Sequence, residues 1–298
     1  MDPIDPFFSK FLATTYPEIK HRHLLEGRRK WRLRAIRQFW AMPLDVKRNT
    51  YTNQLSQPEP SDESDFFTDD DLFDEITDDE APGLGILVRT DFSNEEAWRS
   101  FLAKLKEGED EFSPSTDEEQ NTETKNYQEE PSASTSDVKM DDDEDDDSES
   151  SSDRDPGPII SILDPGPEIR PYFSDISNLA ALRLLSDVDL RKITVPPNVK
   201  RFNPPNPIMD YDGWQEIYHG KTLWIYDATS NRDQSARLVS KRSDFYGTAT
   251  ADSWRVRVSH ICELQVNLSN GAITIDFGGM DKYTYDERVR NLREAMES

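Results

Sequence analysis

The sequence predicts a mixed α/β sandwich, preceded by a basic helical segment and interrupted by disordered acidic tracts. Three observations carry that expectation. In the stretch 84–105 an apolar run, Leu84, Ile86, Leu87 and Val88, stops at Arg89-Thr90-Asp91. Ala97, Trp98, Phe101, Leu102 and Leu105 then recur at helical spacing, so a strand enters a helix through a polar corner. Second, the net charge of −25 over 298 residues is unevenly placed. Residues 1–50 carry 11 Lys/Arg against 5 Asp/Glu, residues 51–82 none against 12, and residues 107–155 only 3 against 21, which leaves 21 against 22 for the rest. The near-neutral remainder is the part able to fold, because acidic tracts poor in apolar residues cannot offset the entropy of ordering. Third, short apolar runs alternate with helical patterns from residue 158 to the end, which is the succession of a layered α/β domain.

Taken in order, residues 1–55 form a first unit. Phe7, Phe8, Phe11 and Leu12 repeat at helical spacing until Pro17 interrupts, and Leu24, Leu25, Trp31, Leu33, Ile36, Phe39 and Trp40 continue a second helical pattern to Met42-Pro43. Arg22, Arg28, Arg29, Lys30, Arg32, Arg34 and Arg37 are interleaved with it, so a basic helical hairpin with an aromatic core is expected. Those cations either meet the phosphates of a nucleic acid or pack on the chain's own acidic tracts.

Residues 56–82 follow as a linker in which Phe66, Phe67, Leu72, Phe73 and Ile76 alternate with Asp and Glu. Such a composition, concentrated at 62–80, suits a segment that folds as a short amphipathic helix on a protein partner, or a solvated spacer that touches the domain. Residues 83–298 are the α/β domain, with an acidic insertion at 107–157 that contains DDDEDDD and is expected to be disordered by self-repulsion. Thr68 and Ser150 have acid at the third following position, the context of acidophilic kinase sites.

At the opening corner, Ser93 with Glu96 three residues on fits a capping box. Ile159–Leu163 reads as a buried strand and Asn178–Asp187 as a short helix, and the prolines at 196–207 deny regular structure to a surface wrap. Leu223–Tyr226, Ala236–Val239 and Trp254–Val258 read as strands, His260–Leu268 as a helix and Ile273–Phe277 as a last strand. A terminal helix, Tyr285–Met296, is expected to bury Val289, Leu292 and Met296.

Ligands of α/β proteins gather at strand ends beside helix N-termini. Arg89, Thr90 and Asp91 stand at such a corner, and Asp227 after LWIY and Asp276 before Phe277 are strand-end carboxylates that could converge on it. Together they would hold a hard cation or do acid–base work, or Arg89 and Asp91 would form one structural ion pair. The tighter D-x-D or D-x-H spacing of metal-dependent hydrolases is missing among Asp91, Asp227 and Asp276; a complete phosphate loop, G-x-x-x-x-G-K-[ST], is missing, as are G-x-S-x-G and G-x-G-x-x-G, and His21, His23, His219 and His260 lack metal-site spacing. No catalytic residue, metal or cofactor is therefore expected.

Two resemblances add to this reading. Pro6-Phe7-Phe8 with Phe11, and Trp40 followed by Pro43, Leu44, Lys47 and Tyr51, are similar to the opening and the second corner of the HMG box. That likeness implies an L-shaped three-helix module that docks in the minor groove and bends DNA, although a long third helix is missing after Tyr51. Arg89–Ser93 followed by Glu96-Ala97-Trp98, with Leu223–Asp227, Trp254–Val256 and Asn267–Ser269, resembles an uncharacterised RTDF-containing domain family of fungi and bacteria. It implies a fold and no established activity, with the acidic insertion and the N-terminal unit marking a fungal, nuclear elaboration.

Cys262 is the single cysteine, so no intrachain disulfide can form, and its apolar neighbours Val258, Ile261 and Leu264 suggest a buried structural thiol. No apolar run reaches membrane-spanning length, and MDPIDPFF lacks the pattern of a signal peptide. The expectation is an intracellular protein of nucleus or cytoplasm, neither secreted nor in a membrane. Its expected role is non-enzymatic binding of DNA or chromatin through residues 1–55, with small-ligand chemistry at the Arg89/Asp91 corner as the alternative.

Overall fold

The computed structural model describes residues 6–112, 157–193, 204–243, 248–275 and 284–297. Asp276, Ser150, the DDDEDDD run and most of the proline-rich passage lie outside them. The described chain begins with three helices, α1 (Phe7–Arg22), α2 (Arg28–Ala41) and α3 (Leu44–Leu55), and two single turns, α4 (Asp65–Thr68) and α5 (Asp74–Thr77). After these come β1 (Gly85–Arg89), α6 (Glu95–Asp110), β2 (Ile160–Leu163), α7 (Arg170–Phe173), α8 (Asn178–Leu185) and β3 (Asp187–Lys192). The remainder is β4 (Trp214–His219), β5 (Thr222–Tyr226), α9 (Ser230–Asp233), β6 (Ser235–Val239), β7 (Ser253–Arg257), a 3₁₀ turn (Val258–His260), α10 (Ile261–Ser269) and α11 (Tyr285–Met296).

Five strands form one mixed sheet in the order β2-β1-β5-β6-β7. β1 pairs in parallel with both β2 and β5, Leu87 standing opposite Ile162 on one side and Trp224 on the other. β6 is antiparallel to both of its neighbours, β5 and β7. Alternation along the strands sorts the side chains into two faces. Leu87, Trp224, Tyr226 and Leu238 pack with Trp98, Phe101 and Leu105 of α6 and Ile261 and Cys262 of α10. Ile86, Val88, Leu223 and Ile225 face the opposite layer, built from α1, α2, α8 and the β3–β4 ladder. The mixed α/β sandwich is therefore three layers thick, with the sheet in the middle.

The N-terminal helices do not stand apart from this core. Phe7, Phe11, Ile36 and Phe39 belong to the same buried cluster as Ile225 and Leu182, and the Phe7 ring lies 5.2 Å from that of Trp214. Pro17 does not end α1, which runs through it for 16 residues. Burial of the apolar face on both sides of the proline, Phe11, Leu12 and Tyr16 before it and Ile19 after it, outweighs the lost amide, and the hydroxyls of Thr14 and Thr15 both donate to the Phe11 carbonyl upstream. The expected hairpin also gains a third helix, α3, after the Met42-Pro43 corner, but of 12 residues only.

Other boundaries shift for identifiable reasons. The cap of α6 is Asn94, whose side chain accepts from the Ala97 amide, while Ser93 is drawn to Asp91. α8 stops at Leu185 and the chain turns directly into β3. Ile273–Ile275 carry no strand, and the rest of that expected element lies outside the described residues. α11 turns Val289 and Met296 to solvent and buries Glu287, Asn291 and Ala295 instead. The reason is polar: Glu287 accepts from the Asn178 amide, Asn291 from the Leu179 amide and Glu294 from the Ser177 hydroxyl, so α11 supplies partners for the free N–H groups that open α8. The first residues of the acidic insertion are ordered as well, since 107–110 complete α6. Glu109 there accepts the amides of Ile159 and Ile160, at 3.4 Å for the latter, and so ties the end of α6 to the start of β2.

Candidate functional site

The corner after β1 is organised around the Arg89 guanidinium, which is fully buried. Its Nε donates to the Asp91 carbonyl at 3.1 Å, Nη1 to Asp164 at 3.2 Å and Nη2 to Glu95 at 2.8 Å, while the rings of Phe92 and Trp98 lie 5.1 and 5.0 Å from it. The interaction with Arg89 holds the Glu95 carboxyl below its ordinary range. Thr90 donates both its amide and its hydroxyl to the Tyr226 carbonyl, which sews the end of β1 to β5.

Asp91 and Asp227 approach the same place but are each enclosed by their own donors. Asp91 accepts from the amide and hydroxyl of Ser93 and from Asn231 at 2.6 Å; burial raises its pKa, and these bonds outweigh burial and leave it lowered. Asp227 accepts the amides of Thr229 and Ser230 at 3.0 Å through one oxygen, and the other faces Arg255 and Arg237. Burial would raise the Asp227 pKa, but the two arginines hold it below the usual carboxylate range. Tyr226 between them donates to Asn231, and burial pushes its hydroxyl up to about 12.

The structure thus brings Arg89, Thr90, Asp91 and Asp227 together, as the sequence suggested, but as a cross-braced corner with partners inside the chain. Asp276 lies outside the described residues. Among the described residues no cluster of three or more His, Cys, Asp or Glu could hold a metal ion. His219 ends β4 and meets Asp189 at 3.2 Å. Cys262 is buried between α6 and α10 with its thiol directed at the Leu105 carbonyl, and burial pushes it up to about 12.

The basic N-terminal candidates divide into two sets. Arg28, Arg29 and Arg32 are buried, and most of what they meet comes from residues 66–78. Arg28 donates to the Phe67 and Asp69 carbonyls and pairs with Asp74 at 3.0 Å; Arg32 reaches the carbonyls of Phe66 and Val188. Burial alone would lower the Arg28 pKa, but Asp187, Asp74 and Asp78 raise it. Arg29 pairs with Asp71 at 3.0 Å and Asp74 at 2.9 Å and donates to Thr77. Asp71 also accepts the Arg29 amide at 2.9 Å, so it caps the N-terminus of α2, where Gly27 has no side chain to do so. Lys20 of α1 pairs with Asp65 and Asp69, and Phe66 enters the core beside Tyr16. The second set, Arg22, Lys30, Arg34 and Arg37, stays at the surface, Arg22 and Arg34 paired with Glu18 and Glu26.

Sequence reasoning missed one further cluster. Glu216 of β4 is fully buried and accepts from Arg183 at 3.1 Å, from the Tyr218 hydroxyl and from the Trp40 indole at 3.2 Å, joining α2 and α8 to the small ladder. The period-two spacing of Trp214, Glu216 and Tyr218 was the available signal.

No protein-family model matches the chain, and no curated protein or solved structure matches it either. No helix among the described residues is long and apolar enough to cross a membrane.

Proposed function

We propose that this is a non-enzymatic intracellular interaction protein that binds a polyanion, DNA or a chromatin component, through its basic N-terminal helices, with residues 62–80 as a competitor in cis. The observation that carries the reading is the seating of Asp65, Asp69, Asp71 and Asp74 on Lys20, Arg28 and Arg29, at 2.7 to 3.0 Å. These carboxylates stand where phosphate oxygens would stand, and the exposed Lys30 and Arg37 extend the cationic surface beyond them. The HMG-box-like residues Phe7, Phe11, Trp40 and Tyr51 support the same class of partner, and the RTDF-like corner supplies a fold without an activity. The enzymatic alternative has no comparable support, because Arg89, Asp91 and Asp227 find their partners within the chain.

The test is binding of fluorescent duplex DNA by the full chain and by the variant Asp65→Asn/Asp69→Asn/Asp71→Asn/Asp74→Asn, at low and physiological salt. The variant is expected to bind at least about tenfold more tightly at low salt, with a steeper loss on adding salt. Asp65→Asn/Asp69→Asn, which frees Lys20 alone, gives a smaller gain and serves if the fourfold variant does not fold. A folded variant that binds no better than the wild type removes the proposal.

A further inference from the structure

The α2–α3 corner holds a second feature, independent of the acidic segment. Lys47 of α3 is 2% exposed, and its ammonium sits among three rings, with centroid distances of 4.5 Å to Tyr211, 5.4 Å to Trp40 and 5.5 Å to Phe39. Aromatic faces attract cations, and a box of three is the arrangement that recognises alkylated ammonium groups. The only hydrogen bond of the Lys47 Nζ among the described residues is to the Trp40 carbonyl at 2.9 Å, and no carboxylate lies within ion-pair distance. Burial lowers the pKa of this amine, with Asp212 opposing weakly from a distance.

A primary ammonium has three N–H groups, and here one acceptor meets them. The other two lose water for ring faces, which costs more than a methyl group in the same place. A dimethylammonium keeps a single N–H for the Trp40 carbonyl and turns two methyl groups to the rings. Trimethylammonium has no N–H for the carbonyl, and a guanidinium would carry more donors than the box can answer.

The helix that delivers Lys47 is also lightly held. Lys47 is the only buried residue of α3, while Val46 and Leu55 are exposed. Its other contacts include the Tyr51 ring, 5.1 Å from Phe7, 4.9 Å from Trp214 and 3.9 Å from the Lys192 ammonium, and two long hydrogen bonds of 3.4 Å, from Lys10 to the Leu55 carbonyl and from Gln54 to Thr14. We propose that Phe39, Trp40, Tyr211 and the Trp40 carbonyl form a binding site for the dimethylated lysine side chain of a partner protein, in which Lys47 is the resident stand-in displaced as α3 lifts.

The experiment uses the full chain and Nα-acetyl-Nε,Nε-dimethyllysine methylamide, observed by proton NMR of the ligand. Ring currents inside the box should move its N-methyl resonance upfield on binding. The wild type is expected to prefer this ligand to its unmethylated counterpart by about tenfold, with faster amide exchange in α3 when it is bound. Lys47→Ala, which vacates the box, should bind it more tightly, and Trp40→Ala should abolish the shift. An N-methyl resonance that the wild type leaves unmoved, whether or not Lys47→Ala folds and binds, would show that the box serves only to anchor α3 and would overturn the proposal. Equal binding of the methylated and unmethylated ligands would overturn it too.

Discussion

Replacing Arg89 tests whether the RTDF corner is a brace or a receptor. In Arg89→Ala the guanidinium loses its bond to the Asp91 carbonyl, a charge-assisted bond of about 1.5 kcal/mol. The pair with Asp164 adds about 1 kcal/mol at most, because that carboxylate is about a third exposed and still keeps the Trp98 indole N–H. Loss of contact with the faces of Phe92 and Trp98 costs about 1 kcal/mol more. Glu95 faces solvent and is left out of the sum. The total is about 3 kcal/mol, to be read as a lower urea midpoint with unchanged denaturant dependence. Arg89→Lys keeps the charge but not the three-way fork and should recover less than half of the loss. A cost below about 1 kcal/mol for Arg89→Ala would refute the bracing argument. So would a lysine variant as stable as the wild type.

Two other outcomes follow from the same reasoning. A Cβ on Gly27 would lie 2.4 Å from an Asp71 carboxylate oxygen and 3.3 Å from the Asp71 Cα, so Gly27→Ala must push the cap of α2 aside. It should cost about 2 kcal/mol in wild type and clearly less in an Asp71→Ala background, and equal costs in the two backgrounds would contradict the contact. For Asp227, the folded pKa lies below the unfolded one, so its stabilising contribution is complete above the ordinary carboxylate range and is lost as pH falls through the folded value. The stability gap between wild type and Asp227→Asn should therefore narrow on going from about pH 5 to about pH 2; urea unfolding that shows a constant gap over this interval would argue against it.

Much of the fold was legible where burial and polarity agreed. β1 and β5 announce themselves as short continuous apolar runs buried on both faces, and α6 and β7 because their apolar residues follow the period of the element. β3 and β4 were not read, because Asp189, Gln215 and Glu216 are buried with them and break the alternation. Their tolerance inside depends on residues far along the chain: Arg191 for Gln215, Arg183 and Trp40 for Glu216, and His219 for Asp189. The same cause misled the reading of α11, whose apolar Val289 is outside because Glu287 and Asn291 are needed at the opening of α8. At the corner, Arg89, Asp91 and Asp227 were correctly associated from strand ends alone. What the sequence could not show is that Asn231, Arg237, Arg255 and Asp164 arrive from other segments to complete their hydrogen bonds.

The Glu109 contact has a consequence for how this protein can vary. A single carboxylate from the last turn of α6 receives the first amides of β2, so both ends of the acidic insertion are anchored at one port in the sandwich. Closing a longer chain between fixed ends adds only about 0.6 kcal/mol for each doubling of its length. Helix α6 before it and strand β2 after it need not register such a change. Length and charge of the insertion are thereby freed from the demands of packing, and selection can adjust the acidic cargo of this chain while leaving its architecture alone.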